Sequence, residues 1–160
     1  MRIRSAFLIG VSMISFGGCK SSIGDAIAMH RLPAPALTLP SAHDVSRIEV
    51  IDNSHSANKT LRVATEVGRI SKIMEFTRGI NNGWFTNANT FPGPKYTITF
   101  ENGNNFLMVL WLGPGWMGGR DNTNNGKCLR DISPSQTNEL GDLLNVHFMF
   151  DDPSKSGSGK

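Results

Sequence analysis

Polar and apolar residues alternate with period two in Arg47-Ile48-Glu49-Val50-Ile51-Asp52, and again in Thr60-Leu61-Arg62-Val63-Ala64. The polar stretch 53–59 between them predicts a turn, so the two runs read as a first hairpin. The period then changes: Val67, Ile70, Ile73, Met74 and Thr77 fall at helical spacing, with Arg69, Lys72 and Glu75 on the other side and Gly79 placed to end the helix. An Asn- and Gly-rich loop follows. Tyr96 to Phe100 and Phe106 to Trp111 flank the turn-forming Glu101-Asn102-Gly103-Asn104-Asn105 and predict a second hairpin. A short fifth strand is expected over Cys128 to Ile132. Ser133, Pro134 and Gln136 then supply an N-cap, a first helical position that needs no N–H, and the partner of a capping box. Leu140, Leu143, Leu144 and His147 form the apolar side of that second helix.

The resulting order, β-β-α-β-β-β-α, predicts an α+β domain: a small antiparallel sheet with the two helices on one face. In element order it is similar to small sheet-and-helix domains of bacterial lipoproteins, a likeness that supplies no site. The domain is expected over 45–150. Residues 19–44, with Pro33, Pro35 and Pro40 among Ala and Leu, read as a semi-extended tether. Residues 151–160 have the small polar composition of a disordered tail.

The start of the chain has a different pattern. Arg2 and Arg4 precede a mainly apolar run from Ala6 to Phe16, which is too short to span a bilayer, and Gly17-Gly18 ends it. This is the layout of a secretory signal over 1–18. Ser15-Phe16-Gly17-Gly18-Cys19 resembles the lipobox of bacterial prolipoproteins, with Phe16 where that family carries Leu, Val or Ile. The resemblance implies diacylglycerol on Cys19, palmitate-type acylation of the mature N-terminus, and membrane attachment. Two or three acyl chains anchor stably where one does not. Lys20 follows the cysteine, where Asp would resemble an inner-membrane retention signal, so the resemblance implies the periplasmic face of the outer membrane. Ala26-Ile27-Ala28 is a competing site for ordinary signal peptidase. A Cys19–Cys128 disulfide is the alternative to lipidation.

Charge matters chiefly through what the signal removes. The formal net charge is +3, but without Arg2 and Arg4 the mature chain keeps 14 of 16 basic residues against 13 acidic ones. A nucleic-acid partner has no electrostatic support. Gly113 to Gly118 matches G-x-G-x-x-G without opening a helix, as a dinucleotide site requires. Asp121 to Gly126 resembles the start of a calcium loop but has Thr123 inside it and Ile132 in place of the closing Glu. Gly157-Ser158-Gly159-Lys160 lacks the flanking elements of a phosphate loop. His30, His43, His55 and His147 have no metal-ligand spacing, so neither metal nor cofactor is expected.

Binding chemistry concentrates in 113–120, where Trp116, Met117 and Arg120 stand among glycines in an expected loop. Trp and Arg dominate binding hot spots; the alternative is that Trp116 plugs the open end of the sheet. Trp84-Phe85 forms a second candidate, either a patch with Trp116 or part of the core. The expectation is a non-enzymatic, membrane-tethered interaction or inhibitor module of the cell envelope, with a protein or cell-wall ligand. A small hydrolase built from scattered carboxylates such as Glu49, Glu101 and Asp131 is the alternative.

Overall fold

A computed structural model describes residues 31–54, 57–87, 92–123 and 126–150. The expected signal, Cys19, the Ala26–Ala28 site, the first part of the tether and the 151–160 tail lie outside the described residues. The strands are β1 (Arg31–Pro33), β2 (Arg47–Asp52), β3 (Lys59–Ala64), β4 (Phe85–Asn87), β5 (Tyr96–Asn102), β6 (Asn105–Gly113), β7 (Trp116–Asp121) and β8 (Cys128–Asp131). The helices are α1 (Val67–Gly79) and α2 (Pro134–Leu144).

All eight strands join one antiparallel sheet in the order β1-β4-β8-β7-β6-β5-β2-β3. This corrects the expected small α+β sheet. The fold is mostly β and only 22% helical, because three strands come from segments without a legible period. β7 replaces the expected 113–120 loop. Pro114 and Gly115 make a two-residue turn, Gly115 adopting φ +73°, and Gly113 pairs with Trp116 across it. That is the residue order a type II turn requires. The edge strand β1 and its neighbour β4 have three residues each and pair with each other.

Alternate residues of the central strands build the main core. Ile48, Val50, Ile98, Phe100, Met108, Leu110, Leu112 and Met117 cluster with Ile70, Ile73 and Met74 of α1 and with Leu140 and Leu144 of α2. Ser133 caps α2 with the full reciprocal box, and Asn145 ends it in the left-handed conformation at φ 56°. His147 lies beyond that helix and is exposed.

Residues 31–44, expected within the tether, are packed into the domain. Leu37 is buried, and its backbone N–H and C=O are both held by the Asn81 side-chain amide at 3.0 and 2.8 Å. Gly119 makes the approach possible, since a Cβ there would collide with Leu37 Cδ1 and crowd the Trp84 ring. The domain therefore extends to Arg31 at least. At the other end, Tyr96 packs against Phe148 and Phe150, and its hydroxyl exchanges hydrogen bonds with the backbone of Met149. No helix among the described residues is long and apolar enough to cross a membrane.

Candidate interaction surface

Strand side chains alternate across a sheet, so away from the bulges a residue that enters the helix-side core leaves its neighbours on the other side. There, Phe85, Trp116 and Leu129 form a second apolar cluster with Trp111 packed against it, and among the described residues no helix residue belongs to it. Register explains the grouping: Trp116 pairs with Gly113 of β6 and with Asp131 of β8, Trp111 pairs with Gly118, and Leu129 pairs with Phe85. The glycines are part of the design. The Trp116 indole lies so close to the Gly113 α-carbon that any Cβ would overlap it. The large ring shields a strand position that has no side chain of its own.

Cations lie over the aromatic rings on this side. The Arg31 guanidinium is 4.3 Å from the Phe85 ring centre and also makes a two-pronged ion pair with Asp131, at 2.6 and 3.0 Å. The Lys127 ammonium is 5.6 Å from the Trp111 ring, and the Arg120 guanidinium is 5.6 Å from the Phe106 ring. These distances fall within the reach of a cation–π attraction, which uses the negative face of the ring. Arg31, Phe106, Arg120 and Lys127 are exposed, and Trp111 is half-buried. The row is a band of ring faces with positive charge on its outer surface.

Farther across the same side, toward β2 and β3, the chemistry is polar. Arg47 bonds Glu49 at 2.8 Å and lies 3.7 Å from Glu101, while the Thr60 hydroxyl donates to Glu49 at 2.7 Å. These two carboxylates are clamped around a guanidinium.

The five residues expected to bind divide between the two sides. Phe85, Trp116 and Arg120 belong to the aromatic–cationic row, although only Arg120 is exposed; Trp116 is 8% exposed and Phe85 6%. Met117 and Trp84 are in the helix-side core. The Trp84 indole N–H donates to Asn81 Oδ1 at 2.8 Å, and the buried Arg130 guanidinium lies 5.9 Å from the Trp84 ring. Burial lowers the pKa of Arg130, with Asp131 opposing that shift. Trp84 therefore does not join Trp116 in a patch. Trp111, Phe106, Lys127 and Arg31 were not among the expected residues. Trp111 had a signal, since it alternates with Leu110 and Leu112 in a legible strand; the cations are assigned only by cross-strand register.

Asp121 and Cys128 are buried titratable groups. Burial works against ionisation of Asp121, but the Thr123 hydroxyl at 2.6 Å and the Thr38 and Thr123 backbone N–H groups at 2.7 and 2.9 Å outweigh it. The carboxyl is held below its ordinary 3.8. Burial, followed by the nearby Asp121 charge, pushes the Cys128 thiol up to about 12, and the thiol donates to the Gly119 carbonyl. Such a group is inert as a nucleophile at neutral pH, because the reactive species is the thiolate. Cys128 is a free, buried cysteine.

The surface has shallow depressions of about 290, 410 and 300 Å³. The largest lies where α1 approaches α2, with Glu66, Arg69, Lys72 and Asp142 in its wall. Among the described residues, no group of three or more His, Cys, Asp or Glu is arranged to hold a metal ion. No family model matches the chain, nor does any curated protein or solved structure.

Proposed function

We propose that this protein is a membrane-tethered lipoprotein of the cell envelope, attached through acyl chains on Cys19, and that it works as an interaction or inhibitor module on the periplasmic side. The observation that carries the binding half of the reading is the row of three cation–aromatic pairs on the side of the sheet whose apolar cluster contains no helix residue. The anchoring half rests on the basic, apolar and small-residue layout of 1–18 and on the Gly17-Gly18-Cys19 junction.

The carboxylates named as hydrolase candidates are engaged elsewhere, as is the buried Asp121. Glu49 and Glu101 surround Arg47, Asp131 holds Arg31, and Asp121 fastens residue 38 to β7. This arrangement supports binding over catalysis.

Each half has its own test. Metabolic labelling with a palmitate analogue is expected to mark the wild-type protein and to miss Cys19→Ala; label in both, or in neither, overturns the anchoring. A photo-crosslinking residue at Phe106 is expected to form adducts in intact cells, while the same residue at Lys72 on α1 gives none. Adducts from the α1 position alone would remove the row as the binding surface.

A further inference from the structure

We infer that the aromatic–cationic row docks onto anionic lipid headgroups of the membrane that holds the chain. This inference rests on the anchoring reading for the identity of the occupant, and three observations lead to it.

The first is the length of chain between Cys19 and the first described strand. Eleven residues separate Cys19 from Arg31, a span of at most about 40 Å when fully extended. Arg31 is the first described residue, it lies on an edge strand, and it is itself a member of the row through Phe85. An acylated Cys19 therefore keeps this side of the sheet within a short reach of the bilayer surface.

The second is composition. Arg31, Arg120 and Lys127 each place a cation above a ring, over Phe85, Phe106 and Trp111 respectively. Aromatic rings with an apolar body, together with long cations that keep their heads in water, are the residues proteins place at the headgroup level of a membrane.

Charge is the third. Among the described residues of this half of the sheet, Asp131 is held by Arg31, and the exposed Arg120 guanidinium beside the Phe106 ring adds positive charge, the sign that a leaflet of anionic lipid attracts over about a Debye length. The acidic Glu49 and Glu101 are set toward β2 and β3 and are paired with Arg47.

The two contributions act together. The anchor brings the row to the surface at high local concentration, and the row then fixes which side of the domain faces lipid. The helix side, with the depression between α1 and α2, is left turned toward the periplasm.

The test uses the mature chain, residues 19–160 with Cys19→Ser, so that no acyl chain contributes to binding. Co-sedimentation is measured with vesicles of 30% phosphatidylglycerol in phosphatidylethanolamine and with pure phosphatidylcholine, at 50 mM and 500 mM salt. Preferential binding to the anionic vesicles is expected, with most of it lost at the higher salt. The double variant Arg120→Gln/Lys127→Gln is expected to bind about 30-fold more weakly, from the usual contribution of a basic residue at an anionic surface. Both residues are exposed, so an unchanged melting temperature separates this loss from misfolding. Lys72→Gln/Arg78→Gln removes the same charge from α1 and is expected to bind as the parent does.

Equal binding to both vesicle types overturns the inference. So does a double variant that binds like the parent, an α1 variant that loses as much, or charge-dependent capture of an acidic protein with no preference for anionic vesicles. Failure of the anchoring reading shows up separately, as absence of palmitate label on the wild-type protein, and leaves the vesicle result standing.

Discussion

Gly113 illustrates how a single missing side chain places a large one. Its α-carbon is covered by the Trp116 indole, and a methyl group there would have to displace the ring or bend the turn at Pro114-Gly115. Gly113→Ala is expected to destabilise the fold by about 1–3 kcal/mol, the usual cost of overpacking. In a Trp116→Ala background the same change is expected to cost much less, because the collision is gone; urea unfolding of the four proteins measures the coupling. Additive effects would show that Gly113 is needed for backbone freedom alone. Asp121 makes a second prediction. Its carboxyl is held below the ordinary 3.8 in the fold, so its contribution is present above that value and fades as pH falls through the lower, folded one. Asp121→Asn keeps the shape and removes the charge, and is expected to cost roughly 1.5–3 kcal/mol at pH 6, as hydrogen bonds to a charged group do. As pH falls below 3.8 and through the lower, folded value, the gap between variant and parent is expected to close. A gap that stays constant over that range in urea melts would assign the loss to packing.

At the scale of elements, legibility depended on whether the code was local. The α2 cap is written in three neighbouring residues, and the structure has it complete, with Gln136 N–H donating to Ser133 Oγ and Ser133 N–H donating to Gln136 Oε1. Ser133→Ala is expected to cost about 1 kcal/mol and to lower α2 protection in hydrogen exchange while β2 and β5 keep theirs. The first four long strands were similarly plain, since Ile48 and Val50, or Ile98 and Phe100, alternate with polar residues in sequence. β7 was hidden by Gly118 and Gly119, which have low strand propensity and mark close approach. Gly119 was needed for Leu37, which is distant in sequence. β1 and β4 have too few residues to show a period. The same distinction governs the candidate surface. Phe85, Trp116 and Arg120 were readable as residue types worth noting. That Arg31 would lie over Phe85, or Lys127 over Trp111, follows from strand register, which no local window contains.

For the molecule as a whole, the consequential difference is where the domain starts. Sequence pattern placed the boundary at Val45, because the prolines and alanines before it carry no period. The structure makes residues 31–44 a strap that crosses the sheet and is fastened at four places: Arg31 to Asp131, the 3.0 Å and 2.8 Å bonds of Leu37 to Asn81, the Leu37 side chain in the core, and Thr38 N–H to Asp121. Removing it exposes the Leu37 site, strips Asn81 of both backbone partners and leaves the Asp121 carboxylate with one donor fewer. Burial of one leucine contributes about 1.5–3 kcal/mol, and each buried group left unsatisfied costs about 1–3 kcal/mol. A chain beginning at Val45 is therefore expected to be less stable than one beginning at Arg31 by on the order of 5 kcal/mol, measured as the difference in urea midpoints at equal slope. Leu37→Ala in the longer chain isolates the core contribution and is expected to account for about 2–5 kcal/mol of the loss. Equal midpoints for the two chain lengths would mean that the strap rests on the sheet without stabilising it.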